Sequence, residues 1–184
     1  MNIFFIRIDN FLKNVDNSLI TEEFKSQKRC IEYSAARFLV NYAAKNFYNI
    51  KDTEIIVKNK KPQFEIPSLQ FSISHSKNIA AAAFDEFDIG FDIEEMKTRN
   101  IQRLSKYFKR DFEDEKDFYR YWTAYEAEYK SKKQSVISFE FENYMCSVCC
   151  KNPDKFNLYE ILPTGGTHNV QNCFKICYYN IVSK

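Results

Sequence analysis

Glycine is nearly absent from this chain. Only three are present in 184 residues, and Gly90 is the only one before residue 165. A residue so rare is not placed by compositional accident. Other absences narrow the function. No apolar run approaches the length that spans a membrane. The first residues, Met1 to Asp9, carry too short an apolar run for a secretory leader and read as a strand. The net charge of +2 is close to neutral, so non-specific polyanion binding is not implied. There is no low-complexity segment, clear repeat or Gly/Ser linker. Six cysteines without a leader point to reduced thiols in the cytoplasm, not a disulfide framework. What is present is core material: 45% hydrophobic and 17% aromatic residues, ample for one domain or two small halves packed together.

Local patterns predict strands, then helices, then strands, which is an α+β fold. A strand is expected over about 2–8 and a long helix from about Glu22 to Phe47. Ile31, Ala35, Phe38 and Tyr42 share one face of that helix. Strands follow over about 54–58, 70–74, 78–84 and 88–94. Lys60-Lys61-Pro62 and Pro67 read as loops, and Asp85-Glu86-Phe87-Asp88 as a hairpin turn. Helices are expected over about 99–110 and 114–131, then strands over about 136–149, 156–161 and 173–182.

Gly90 lies in Ile89-Gly90-Phe91-Asp92-Ile93-Glu94. In a strand, Gly90, Asp92 and Glu94 share one face and Ile89, Phe91 and Ile93 the other. The ordinary reading is a half-buried strand with its acids in water. The alternative is a strand presenting two carboxylates beside a residue that allows close approach to the backbone. Trp122, Glu126 and Lys130 fall at i, i+4 and i+8, on one side of a helix. Glu followed by Lys at i+4 is the commonest stabilising surface pair on helices; the functional alternative is a metal ligand or base and a cation for phosphate. His75, one of two histidines, sits among hydroxyls in Phe71-Ser72-Ile73-Ser74-His75-Ser76. It reads as a polar turn or a phosphate contact.

Together Lys61-Pro62, Phe71 to Ser76, Ile89 to Glu94 and Trp122 to Lys130 resemble the Sfp-type 4′-phosphopantetheinyl transferases in order and rough spacing. The family patterns are approximately G-K-P, F-N-x-S-H-S, (I/V)-G-(I/V)-D-(I/V)-E and W-(S/T)-x-K-E-A-x-x-K. The resemblance covers residues 61–130 and fades after Cys150. It implies an α+β pseudo-dimer of two similar halves, 1–87 and 88–184, with the site in the cleft between them. It implies transfer of 4′-phosphopantetheine from coenzyme A to a serine of an apo acyl or peptidyl carrier protein, by a cytoplasmic monomer using Mg²⁺.

The residue roles are carried over the same way. Asp92, Glu94 and Glu126 would hold Mg²⁺. Glu126 would also be the base toward the serine. His75 and Lys130 would contact phosphates, and Lys61 and Ser74 would help hold the nucleotide. Lys28, Arg29 and Arg37 are fainter candidates for the remaining coenzyme contacts. Gly90 would be the clearance beside the Mg²⁺-pyrophosphate site. Three positions depart from the family: Tyr125 replaces its lysine, Ser72 its asparagine and Lys60 its glycine.

Two other features stand outside those motifs. Arg99, Arg103, Lys106 and Arg110 recur at helical spacing opposite Ile101, Leu104 and Phe108. They form a solvated face or a docking strip for an acidic carrier. Cys146-x-x-Cys149-Cys150 and Cys173-x-x-x-Cys177 offer a zinc alternative, or core thiols. A coenzyme- or carrier-binding homologue with impaired catalysis, motivated by Tyr125 and Lys60, is a further alternative.

Overall fold

The computed structural model describes residues 1–14, 26–51, 53–59, 61–65, 69–131, 135–153, 155–163 and 174–179. The elements are β1 (Asn2–Arg7), α1 (Ile8–Asn14), α2 (Gln27–Tyr48), β2 (Ile55–Lys58), β3 (Lys61–Phe64), β4 (Gln70–Ser76), β5 (Ile79–Asp85) and β6 (Gly90–Glu95). They continue with α3 (Ile101–Phe108), α4 (Glu115–Lys130), β7 (Ser135–Phe141), β8 (Tyr144–Cys150), β9 (Asn157–Pro163) and β10 (Phe174–Tyr179). The α+β class expected from the sequence is what the chain adopts.

Two larger sheets stack between two helices. One has strand order β10-β9-β1-β5-β4, the other β6-β8-β7, and β2-β3 stands apart as a hairpin. Phe4 and Ile6 of β1, Ala80, Ala82 and Phe84 of β5 and Phe71 of β4 face Ala35, Leu39 and Val40 of α2. The opposite side of that sheet, with Ile3, Phe5, Ala81 and Ala83, packs on Ile89, Phe91, Ile93, Phe139, Cys146 and Val148 of the second. Central strand β5 is thus buried on both faces. Its four consecutive alanines let a helix and a second sheet approach closely. Helix α4 covers the outer face of the three-stranded sheet. There Thr123 Oγ1 meets Ser147 Oγ of β8 at 2.7 Å, and Ser147 meets Ser138 of β7 at 2.7 Å. Such hydroxyl pairing lets buried polar groups seat a helix flat on a strand.

The helix ends follow from local chemistry. Asp114 caps α4 by accepting from Asp117 N, and Asn100 caps α3 by accepting from Arg103 N. With so little glycine, left-handed backbone falls to Asn49, Asn59, Lys77, Lys109 and Glu142.

Several expectations need correction. Helix α1 was not anticipated. The single strand expected over 136–149 is a hairpin, folded at Glu142-Asn143 where Glu142 has φ 52°. Lys61 and Pro62 lie in strand β3, not in a loop; Lys58 pairs with Lys61 around a tight turn at Asn59. Pro62 is tolerated because, among the described residues, β3 pairs with β2 alone. Asp85 to Asp88 is not a hairpin turn. It crosses from the five-stranded sheet to the three-stranded one, since β5 is already flanked by β1 and β4. The division expected near residue 88 falls on this crossover. The chain later returns: β9 pairs parallel to β1, with Ile3 opposite Leu158. The start of the helix expected at Glu22, and Lys60 and Pro67, lie outside the described residues. Among the described residues no helix is long and apolar enough to cross a membrane.

Candidate active site

Strand β6 is the centre of the candidate site; Gly90 to Ile93 are buried on both of its faces, and Glu94 and Glu95 at its end are half-buried. Ile89, Phe91 and Ile93 enter the core between the sheets. Gly90, Asp92 and Glu94 face the opposite way, as period two requires, but that face lies beneath α4. Asp92 is only 5% exposed, so the solvated-acid reading does not hold. Gly90 is explained by the helix itself. A Cβ there would sit 1.9 Å from the carbonyl oxygen of Ala127 in α4. The close approach that the glycine permits is therefore backbone to backbone, not the clearance for a bound pyrophosphate expected from the sequence.

Helix α4 meets the two acids with Trp122 and Lys130, about two turns apart. Lys130 Nζ donates to Asp92 Oδ1 at 2.7 Å and to the Phe91 carbonyl at 3.0 Å. The Trp122 side chain lies beside the Glu94 carboxylate and favours its charged form. Glu126 lies midway on the same helix face and makes no hydrogen bond or ion pair among the described residues. Burial pushes the Glu94 carboxyl above its ordinary value, and the nearby Asp92 charge pushes the same way. The Ser76 hydrogen bond, the Trp122 side chain and the Lys130 charge work against that rise.

Strand β4 approaches from the other side. Ser72, Ser74 and Ser76 share one of its faces, and each hydroxyl accepts a backbone N–H of β6. The donors are Phe91 at 3.0 Å, Ile93 at 3.3 Å and Glu95 at 3.0 Å. Ser74 donates onward to Asp92 Oδ1 at 2.8 Å, and Ser76 to Glu94 Oε2 at 2.8 Å. Ser74, expected to help hold a nucleotide, is buried, and its hydroxyl is engaged within the protein.

A cleft of about 1030 Å³ is lined among others by Lys58, Lys61, Gln70, Phe87, Tyr129 and Lys130; Asp92, Glu94 and Glu126 do not line it, and Lys130 connects it to Asp92. Lys61 donates to Asp88 Oδ1 at 2.7 Å and to the Ile89 carbonyl at 2.8 Å. Two lysines expected to face a coenzyme thus line one cavity.

The remaining candidates stand apart from it. His75 points to the opposite face of β4 from Ser74 and Ser76, with Nδ1 3.6 Å from Glu32 of α2. Lys28 approaches the same Glu32 at 3.6 Å. Arg37 lies over the Tyr33 ring and donates to its hydroxyl at 2.9 Å. Tyr125, where the family has lysine, is exposed and stacks on Tyr121 and Trp122. The basic strip is divided. Arg99 donates to the Tyr119 hydroxyl, and Arg110 stacks on Tyr121, so both lie beyond the ends of α3 and tie it to α4. Arg103 and Lys106 stay exposed.

Cys146 and Cys150 face the core between the sheets, while Cys149 projects from the other face of β8. The three cannot converge on one ion. Burial raises the Cys146 and Cys150 thiols above their ordinary values, as befits inert core residues. The side chains of Cys173 and Cys177, and His168, lie outside the described residues.

Sequence reasoning passed over the roles of Ser76 and Asp88. The two-residue spacing of Ser72, Ser74 and Ser76 was the available signal for one common face.

No protein-family model matches the chain, and no curated protein matches it. The donor chemistry must therefore carry the metal question. Asp92 Oδ2 is buried with no hydrogen-bond partner, an orphaned anionic oxygen. Glu94 and Glu126 add carboxylates on the facing elements. Among the described residues, no three ligands form a complete metal-holding group. Mg²⁺ binds through one or two carboxylates and completes its shell from water and substrate phosphates, so of this set the unpartnered Asp92 oxygen is the one suited to such an ion.

The ion pair makes a testable demand on stability. Lys130→Met would leave the Asp92 carboxylate buried without its cation, lowering stability by about 3 kcal/mol. Adding Asp92→Asn should recover much of the loss. Urea denaturation of the two variants measures both effects.

Proposed function

We propose that this chain transfers 4′-phosphopantetheine from coenzyme A to a serine of an apo acyl or peptidyl carrier protein, with Mg²⁺. The observation that carries the proposal is the meeting of α4 and β6. Lys130 holds Asp92 and Trp122 stands beside Glu94, with Glu126 between them on the helix, and Lys130 also lines the cleft that Lys61 lines. Strand order supports the two-half reading. The order β1-β5-β4 under α2 repeats as β6-β8-β7 under α4, each as strand, helix and antiparallel hairpin. The repeat begins near residue 88, and β9 and β10 extend the first half.

In this reading Asp92, Glu94 and Glu126 would hold Mg²⁺, which when bound would neutralise charge on the pyrophosphate. Glu126, without a partner among the described residues, accepts the proton of the carrier serine. The serine oxygen bonds to the β-phosphorus as the bond to the departing adenosine 3′,5′-bisphosphate breaks. Lys130 and Lys61 offer positive charge to the phosphates from the cleft wall. The enzyme would act as a cytoplasmic monomer.

Arg103 and Lys106 would meet the acidic carrier. Reversing both charges should raise the Michaelis constant for carrier about tenfold at low salt, with that for coenzyme A unchanged. An unchanged carrier constant at low salt would remove α3 from docking.

Tyr125 favours a second reading, a homologue that binds coenzyme A without turning it over. Its ring stacks on Trp122 and supplies no ammonium where the family has one. Incubation with apo carrier, coenzyme A and Mg²⁺ separates the two. Transfer adds one phosphopantetheine group to the carrier; coenzyme binding with no added mass supports the second reading.

A further inference from the structure

The seam between β4 and β6 is unusual in its chemistry. The two strands run side by side but belong to different sheets, with no backbone ladder joining them. Strand β6 pairs with β8 on one edge. On its other edge the N–H groups of Phe91, Ile93 and Glu95 would be orphaned donors. Three serine hydroxyls, two residues apart on β4, accept all three. A buried hydroxyl has one proton to give as well as lone pairs to offer. Ser74 gives its proton to Asp92, and Ser76 gives its proton to Glu94. Ser72 performs the seam function with neither acid as its acceptor.

We propose that Ser74 and Ser76 are positioning residues that aim the Asp92 and Glu94 carboxylates for a divalent cation. Each hydroxyl is fixed at both ends, by a β6 amide and by a carboxylate oxygen. The acid is thereby tied to the strand on which it sits, with one oxygen engaged and the other left for a cation. Asp92 Oδ2 is that remaining oxygen on the first acid, buried and unpaired. Lys130 holds Asp92 from the helix side, so that acid is fixed between β4 and α4, while Trp122 of α4 stands beside Glu94. Partners of this kind hold metal ligands in register, and their loss typically weakens metal binding tenfold to a hundredfold. The inference rests on the proposed Mg²⁺ site and reassigns Ser74 from the coenzyme to the protein's own acids.

Ser72 supplies the internal control. Ser72→Ala and Ser76→Ala each remove one seam hydrogen bond to a β6 amide, but only Ser76→Ala releases a site carboxylate. Mn²⁺ serves as the probe, its binding read by electron paramagnetic resonance on the full chain with coenzyme A present. Thermal unfolding of each variant is measured alongside. Ser76→Ala should weaken Mn²⁺ binding about tenfold, and Ser76→Thr, which keeps the hydroxyl, should restore it. Ser72→Ala should lower the unfolding temperature by a similar amount yet leave Mn²⁺ binding within about twofold, since it touches neither acid.

Wild-type Mn²⁺ binding with equal affinities in Ser72→Ala and Ser76→Ala would overturn the positioning role alone. Failure of Ser76→Thr to restore binding, in a folded protein, would do the same. Absence of Mn²⁺ binding in the wild type would overturn the metal site and this inference with it.

Discussion

Gly90→Ala should unseat helix α4. The added methyl would stand 1.9 Å from the Ala127 carbonyl oxygen, 2.9 Å from its carbon and 3.1 Å from Ser131 Cβ. The first two are helix backbone atoms, so no rotamer change relieves the clash. Strand β6 cannot retreat either, because Phe91 and Ile93 are locked in the core on its far side. The helix must move, and with it Trp122 and Lys130, which engage Glu94 and Asp92. Overpacking commonly costs about 1–3 kcal/mol, and a backbone clash this short belongs at or above that range. In a chain of this length each kcal/mol lowers the unfolding temperature by about 2–4 °C. A fall of roughly 10 °C is therefore expected, together with faster amide exchange along α4 and loss of activity. An unfolding temperature within about 2 °C of wild type, with α4 still protected, would contradict this packing.

Glu94→Gln should separate function from stability. Glu94 sits half-buried near Asp92, and burial first, then that neighbouring charge, raise its pKa. A carboxyl raised in this way favours the fold in its protonated form. Its stabilising contribution is complete below the ordinary glutamate value of about 4.3 and is lost as pH rises through the folded value. At neutral pH the ionised Glu94 therefore weakens the native state. Glutamine removes that charge while keeping an oxygen for Ser76. The variant should unfold at the same temperature as wild type or higher at pH 7, with the difference closing as the medium is acidified. Mg²⁺-dependent transfer should be abolished. Retained transfer would remove Glu94 from the site. A large loss of stability would assign it a structural role instead.

Much of the site was legible because it depends on local periodicity. Alternation in Ile89 to Glu94 put both acids on one face, and the four-residue spacing of Trp122, Glu126 and Lys130 put them on one side of α4. What the sequence could not convey was which surface covered which. Gly90 was read as space for a ligand, when the space is taken by the Ala127 carbonyl, 37 residues away along the chain. The Asp85 to Asp88 turn resembles a hairpin locally; the pairing of β5 with β1 and β4 makes it a crossover. The same limit hid the serines. Their two-residue spacing is visible, but the amides that they satisfy belong to a strand from another sheet. His75 illustrates the converse. It adjoins Ser74 in sequence, yet strand geometry turns it toward Glu32 and away from the acids.

The central claim is that the β6–α4 acids and the neighbouring cleft perform phosphopantetheine transfer. The most direct measurement is the intact mass of an apo carrier protein after incubation with this chain, coenzyme A and Mg²⁺. The account predicts a gain of one phosphopantetheine group, abolished by chelation of the metal and by Glu94→Gln. An unmodified carrier, with the protein folded and coenzyme A bound, would contradict it.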